Sequence, residues 1–366
     1  MKKILFLLVV FSFFLQEGLA SALTVNAYIA DSTTDDVAVV DTATNTVTEI
    51  IAVGTAPEGV AVAPDGTDVY VVNNGSDNVS VIDTATNTVE ATVAVGTAPV
   101  GVAVSPDGMI AEVTNSGAGT VSVIDTSTDT VVSTVTVGTT PEGIAITPDG
   151  KEAYVANSGS DTVSVIETTT NTVSATIDVG TAPFGVAVTS DGREVYVSDS
   201  GSNEISVIDT ATHTVTNTIP VGTTPEGIAI TPDDKEAYVA DEGSDEVSEV
   251  DTETHTVTET HHVGTSPTGV AATPDGQEIY VTNRGSDDVS IIDVETGGVT
   301  TTGPIAHAPD DLGNFIGTVP ASTGGGGDCS FSGKNRGPQN LFLTLFFGVV
   351  LFGALVWRRI ILGANG

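Results

Sequence analysis

Seven prolines, Pro57, Pro99, Pro141, Pro183, Pro225, Pro267 and Pro309, stand 42 residues apart with no insertion or deletion between them. The same interval links Asp41, Asp83, Asp125, Glu167, Asp209, Asp251 and Asp293. It also links Tyr28, Tyr70, Tyr154, Tyr196, Tyr238 and Tyr280, with Glu112 at the one place where the tyrosine is missing. A strict period of this length means that one supersecondary unit is copied along the chain, each copy burying its apolar face against the next.

Within one unit, four β-branched, apolar runs alternate with turn signals: residues 143–146, 153–156, 163–166 and 173–179. Pro148-Asp149-Gly150 separates the first pair, residues 157–161 the second, and residues 168–171 the third. Four short strands in 42 residues match a propeller blade, whereas a β-solenoid needs a shorter period and a helical repeat shows a 3.6-residue pattern. The expected fold is all-β: a seven-bladed β-propeller of four-stranded blades over residues 23–320. Aromatic residues at 5% and 40 glycines agree with many short strands rather than a helical bundle.

The unit also resembles a known family. Tyr280-Val281-Thr282-Asn283, preceded by Pro274-Asp275-Gly276 and followed by Val289-Ser290-Ile291-Ile292-Asp293, is similar to the YVTN-family β-propeller repeat. Tyr154-Val155-Ala156-Asn157 and Tyr196-Val197-Ser198-Asp199 are variants of it, and the likeness runs over residues 23–303. It implies that the first strand of each unit (A) lines a central channel. The D-to-A and B-to-C loops then share one rim, here the top, and the Pro-Asp-Gly turns lie at the bottom.

Strand A begins 11 residues before the repeat tyrosine, so the blade of Tyr28 would need residues from 17 onward. Lys2, Lys3, the apolar run 4–15 and Ala20-Ser21-Ala22 read as a signal peptide over 1–22, whose removal takes that strand away. The ring is therefore expected to close with a strand at 311–318 beside the strand at 25–30, the same blade drawing strands B to D from 25–53. Glu17-Gly18-Leu19-Ala20 echoes strand A one residue out of register and competes if cleavage falls further upstream.

At the other end, residues 321–340 form a Gly-rich linker with a possible sorting motif. Residues 341–357 are 17 without a charge, ~25 Å as a transmembrane helix, and 358–366 with Arg358 and Arg359 are a short cytoplasmic tail. The Gly-rich stretch holding Cys329, the apolar span and the arginines are together similar to bacterial C-terminal sorting signals of CTERM type. That likeness implies processing or lipid attachment at Cys329; the alternative is an unprocessed anchor with an incidental thiol. An exported protein, anchored at the cell surface at least before processing, is expected.

A single cysteine excludes an intrachain disulfide framework, and a net charge of -38 excludes nucleic acid as a partner. The Asp residues that recur in nearly every blade are expected to satisfy turn backbone. Positions that vary on the top rim are more informative. After the loop proline stand Glu58, Val100, Glu142, Phe184, Glu226, Thr268 and Asp310, with acids on alternate blades of the first six. Copying explains part of this, since Pro141 to Asp149 recurs residue for residue as Pro225 to Asp233. A second ring reads Asp31, Asn73, Asn115, Asn157, Asp199, Asp241 and Asn283. Oxygen donors from Glu58, Glu142, Glu226, Asp31, Asp199 and Asp241 could hold Ca²⁺ at the channel mouth; alternatively the second ring only starts the B-to-C turn and the glutamates are solvated.

All five histidines, His213, His255, His261, His262 and His307, are expected to be exposed, and no zinc-binding spacing, nucleophile elbow or haem motif is present. No catalytic set and no cofactor beyond Ca²⁺ is expected. The leading reading is a non-enzymatic binding or scaffolding module that engages a surface protein, glycan or matrix ligand through its acidic top-rim loops. The competing one is a Ca²⁺-dependent, lactonase-like hydrolase using Glu58, Glu142 or Glu226 with Asn73, Asn115 and Asn157.

Overall fold

The computed structural model describes residues 23–320, apart from positions 304, 306, 307 and 310. The signal segment 1–22, the Gly-rich stretch with Cys329, the apolar run 341–357 and the tail 358–366 lie outside the described residues. Among the described residues no helix is long and apolar enough to cross a membrane.

Seven four-stranded antiparallel sheets make the seven expected blades. One blade consists of Pro57–Val62 (A), Asp68–Asn73 (B), Asn78–Asp83 (C) and Thr88–Ala94 (D), and the others repeat it. Strands B and C are sandwiched between neighbouring blades, which is why both of their faces carry Val, Ile, Ala and Tyr. Strand D is mostly exposed or half-buried, with a single buried residue in six of the seven blades, and its Thr-rich sequence follows from that. A register shift between strands C and D, as at Val123 and Ile124, adds to the twist of each blade.

The C-to-D turn explains a column of residues. Its last position is left-handed at Asn45, Asn87, Asp129, Asn171, His213 and His255, with Gly297 in the remaining blade. Residues with short polar or imidazole side chains tolerate this region better than others. On the same bottom rim, Thr84 Oγ1 donates to the Gly66 carbonyl at 2.6 Å, tying the C-to-D turn to the Pro-Asp-Gly turn.

Around the axis the inner strands approach backbone to backbone. A Cβ on Gly143 would lie 2.3 Å from the Phe184 carbonyl oxygen of the next blade, and one on Gly227 would lie 2.4 Å from that of Thr268. Gly143→Ala must therefore push two blades apart. It is expected to lower stability by about 1–3 kcal/mol, read by thermal unfolding. An unchanged midpoint would mean that the inner ring has slack.

Closure joins the two ends of the described chain. Ile316–Pro320 pairs antiparallel with Leu23–Asp31, from Leu23 opposite Pro320 to Ala27 opposite Ile316. The expected partner strand is thus confirmed, but its regular part starts at 316 rather than 311. Asp311 is the cause, because it stands where the other inner strands have Gly and meets the sheet with its side chain. Its Oδ1 accepts the Ala30 N–H at 2.8 Å, and backbone pairing resumes where Tyr28 N donates to Phe315 O at 2.9 Å. On its other side the segment bonds to the neighbouring inner strand, Val60 N to Leu312 O and Val62 N to Asn314 O. Phe315, Ile316 and Val319 are buried in the same core as Tyr28 and Ile29.

Candidate functional site

The top rim is organised by the Asn/Asp ring. Asn73 Oδ1 accepts the Gly54 N–H, Ser76 Oγ the Thr55 N–H and Asp35 Oδ1 the Ala56 N–H, so three consecutive donors of a D-to-A loop end on side chains. Asn115 and Asn157 hold Gly96 and Gly138 in the same way. Where the ring has Asp, Ser206 donates to Asp199 at 2.7 Å and Ser248 to Asp241 at 2.6 Å. Burial pushes Asp199 up to about 7 and Asp241 up to about 6, against the lowering effect of those hydrogen bonds. Asp31 Oδ1 accepts the N–H groups of Thr33 and Thr34.

Asp31, Asp199 and Asp241 are buried within the blades. They are not brought together with Glu58, Glu142 and Glu226, which sit at the second residue of their inner strands and line a cavity of about 300 Å³ at the channel mouth. Asn74, Ser116, Phe184 and Arg284 are among the other residues of its wall. Asn74 Nδ2 donates to Glu58 Oε2 at 3.3 Å, and Arg284 Nη2 to Glu242 Oε1 at 2.7 Å. Burial pushes Glu142 up to about 7, while a hydrogen bond from Ser116 works the other way. Below the mouth runs a channel of about 510 Å³, lined by inner-strand residues such as Val102, Ile144 and Ile228 and ending among Pro64, Pro148, Pro232 and Pro274. The two cavities share Asp311 and Leu312. Carboxylate oxygens over an apolar channel suit a hard cation, or a ligand that presents a positive group to the mouth.

The histidines need correction. His213 and His255 are not free surface residues, because the C-to-D turn lies over the tyrosine of the preceding blade. Their rings sit 6.2 and 6.1 Å from those of Tyr154 and Tyr196, and their Nε2 atoms reach Glu152 at 3.1 Å and Glu194 at 3.4 Å. His261 is buried against Glu249, while His262, next along the strand, is exposed.

The tyrosine column carries polar contacts between blades, as where Tyr280 Oη donates to Asn45 Oδ1 of the next blade around the ring. Glu112 interrupts it. Both of its carboxylate oxygens are buried without a hydrogen-bond partner among the described residues, as is Asn171 Oδ1, the counterpart of Asn45 in the blade that follows. Burial pushes the Glu112 carboxyl up to about 7.

Comparison with known proteins agrees with this architecture. Residues 16–115 match a family described as YNCE-like beta-propeller, and residues 168–268 match one described as lactonase, 7-bladed beta-propeller. Among curated proteins none matches the chain. The structure is similar to Kuenenia stuttgartiensis hydrazine synthase, with a TM-score of 0.69 and 26% identity over 74% of this chain and 92% of that one. A functionally unknown protein from Desulfotomaculum acetoxidans DSM 771 gives 0.69 at 17% identity, over 80% of this chain and 98% of that one. A putative 6-phosphogluconolactonase from Bacteroides fragilis NCTC 9343 gives 0.67 at 19%, over 82% and 98%. What these proteins share with the chain is the fold, on which several activities have been built. The chain is a seven-bladed β-propeller repeat protein.

Proposed function

We propose that the domain is a non-enzymatic binding module, exported and anchored at the cell surface, whose ligand-facing feature is the acidic channel mouth. The carrying observation is the convergence of Glu58, Glu142 and Glu226 on one cavity above an apolar channel, while the recurrent acids elsewhere are spent on turns. The partner is a cationic group on a surface protein, glycan or matrix ligand, or a Ca²⁺ ion that bridges to one. Strongly negative charge on the rest of the domain draws such a partner in from a distance.

A second reading is favoured by the match of residues 168–268, which include Glu226, to a lactonase family. In it Glu58, Glu142 and Glu226 hold Ca²⁺, the oxygen donor set fits that ion, and the ion supplies Lewis-acid polarisation of a lactone carbonyl.

Calorimetric titration with Ca²⁺, followed by a lactone hydrolysis screen, separates the two. Weak binding at the mouth is expected. It should strengthen from pH 6 to pH 8, because Glu142 must give up a proton that burial retains to about 7, and it should weaken in Glu142→Gln. Chelation is expected to leave the melting temperature nearly unchanged. Lactone turnover lost in Glu142→Gln and Glu226→Gln would replace the binding reading with the hydrolase one.

A further inference from the structure

We propose that the outer edge of the blade that runs from Pro225–Ile230 to Thr256–His262 carries a transition-metal site of the Zn²⁺ class, formed by Glu249, Glu259 and His261 and separate from the channel mouth. The argument starts from the repeat. At the position of Glu249 the other blades have Val39, Val81, Val123, Val165, Val207 and Ile291, all buried. At the position of His261 they have Ile51, Val93, Val135, Ile177 and Ile219, again all buried. In this blade alone both apolar positions are replaced, and the replacements meet: His261 Nε2 lies 2.9 Å from Glu249 Oε2. Two buried apolar contacts have been exchanged for a polar pair.

The third member lies opposite. Glu259 on Thr256–His262 is the cross-strand partner of Glu249 on Glu246–Asp251. One ligand atom from each of Glu249, Glu259 and His261 falls within 4.8 Å of the others. Two carboxylates directly opposite one another repel unless a cation lies between them. Tyr238, whose ring is 6.1 Å from that of His261, backs the cluster, and the charge of Glu249 helps burial to push the neighbouring Glu236 upward.

A third departure from the repeat opens the site. Gly297 occupies the turn position that holds Asn, Asp or His in the six other blades. A Cβ there would lie 3.3 Å from the Glu259 carboxylate and 3.4 Å from His261 Cε1. The blade that would otherwise cover the cluster has no side chain to cover it with.

One imidazole nitrogen and two carboxylate oxygens suit Zn²⁺ and its neighbours in the first transition row rather than Ca²⁺, which takes oxygen alone. Donors about 2.1 Å from a tetrahedral ion stand about 3.4 Å apart, so the cluster has to contract slightly. Glu259 is exposed and free to move inward. The fourth position faces solvent on that side and is open to water or to a donor from a partner.

The test titrates Zn²⁺ into the chelator-treated full chain, with excess Ca²⁺ present to occupy the acidic surface, and records the visible spectrum after Co²⁺ is substituted. Wild type is expected to take up one equivalent and to give an intense tetrahedral Co²⁺ band. Glu249→Val combined with His261→Ile installs the residues that the repeat uses elsewhere, so folding is not at risk. It should lose at least about 100-fold in affinity, since even outer-shell partners are worth about 10–100-fold. Glu259→Gln, at an exposed position, should weaken binding with no change in the melting temperature of the metal-free chain. Equal Zn²⁺ uptake and the same Co²⁺ spectrum in wild type and the double variant would overturn the proposal, as would a wild type that takes up no Zn²⁺ beyond its surface carboxylates.

Discussion

Deletion of residues 309–320 is expected to abolish the single cooperative unfolding transition of the domain. Leu312, Phe315, Ile316 and Val319 are all buried. At about 1.5–3 kcal/mol for each side chain, their loss approaches 6–12 kcal/mol, as large as the whole stability of a typical domain. The deletion also exposes the edge of Leu23–Asp31, now paired with Ile316–Pro320, as an aggregation-prone template. Phe315→Ala is the milder version and should cost about 3–5 kcal/mol. Thermal unfolding with parallel light scattering checks both, and a truncated chain that melts sharply at the wild-type temperature would show that the ring does not depend on its seam.

Stability is expected to rise as pH falls from 8 to about 5, and Glu112 is the main reason. Burial raises its carboxyl from 4.5 to about 7, and burial likewise raises Glu142 and Asp199 to about 7 and Asp241 to about 6. Each of these groups keeps its proton in the folded chain over a range where the unfolded chain has released it. The contribution is therefore complete below the unfolded values and is lost as pH rises through about 6–7. For Glu112 alone the difference corresponds to about 3 kcal/mol. Below about pH 4 the trend reverses, because turn carboxylates such as Asp107 and Asp149 are held low by hydrogen bonds, from Ser105 and Lys151 respectively, and lose those contacts on protonation.

Glu112→Tyr restores the repeat and offers a hydroxyl to Asn171 Oδ1, as Tyr280 does to Asn45. It should raise stability at pH 8 by about 3 kcal/mol and by much less at pH 5. Glu112→Gln should flatten the pH dependence without adding the new contact. Equal gains at both pH values would show that the missing tyrosine, and not the buried charge, is what destabilises this blade.

The blades were legible because each one uses the same turn chemistry, so that Pro, Gly and Asp recur at a fixed spacing. Closure was legible in phase but not in detail. Nothing in the pattern tells that Asp311 would bond to Ala30 with its side chain and delay the regular strand to 316. The Asn/Asp ring misled for a physical reason: the same oxygens that could face a cation can equally accept a loop N–H. A signal for the second use was present, since a Gly precedes each member from Asn73 to Asn283 by 19 residues, as Gly54 precedes Asn73. The Glu249 and His261 pair was missed because a search for metal motifs looks for ligands at short, regular intervals. These ligands lie 12 residues apart on two paired strands, and the hint was instead a break in two apolar columns.

The odd composition of the closing segment bears on how so repetitive a chain avoids assembling wrongly. Its modules are nearly interchangeable, and the strands Pro141–Ile146 and Pro225–Ile230 are identical in sequence. Modules this alike invite swapped partners between or within molecules. The segment bearing Asp311 fits none of the other six inner positions, where a Cβ would come within 2.1–2.5 Å of a neighbouring carbonyl oxygen. An ordinary inner strand in the seventh position would in turn bring no carboxylate to receive the Ala30 N–H. One aspartate thus acts as a key cut for a single lock, marking the one place where the circle is sealed.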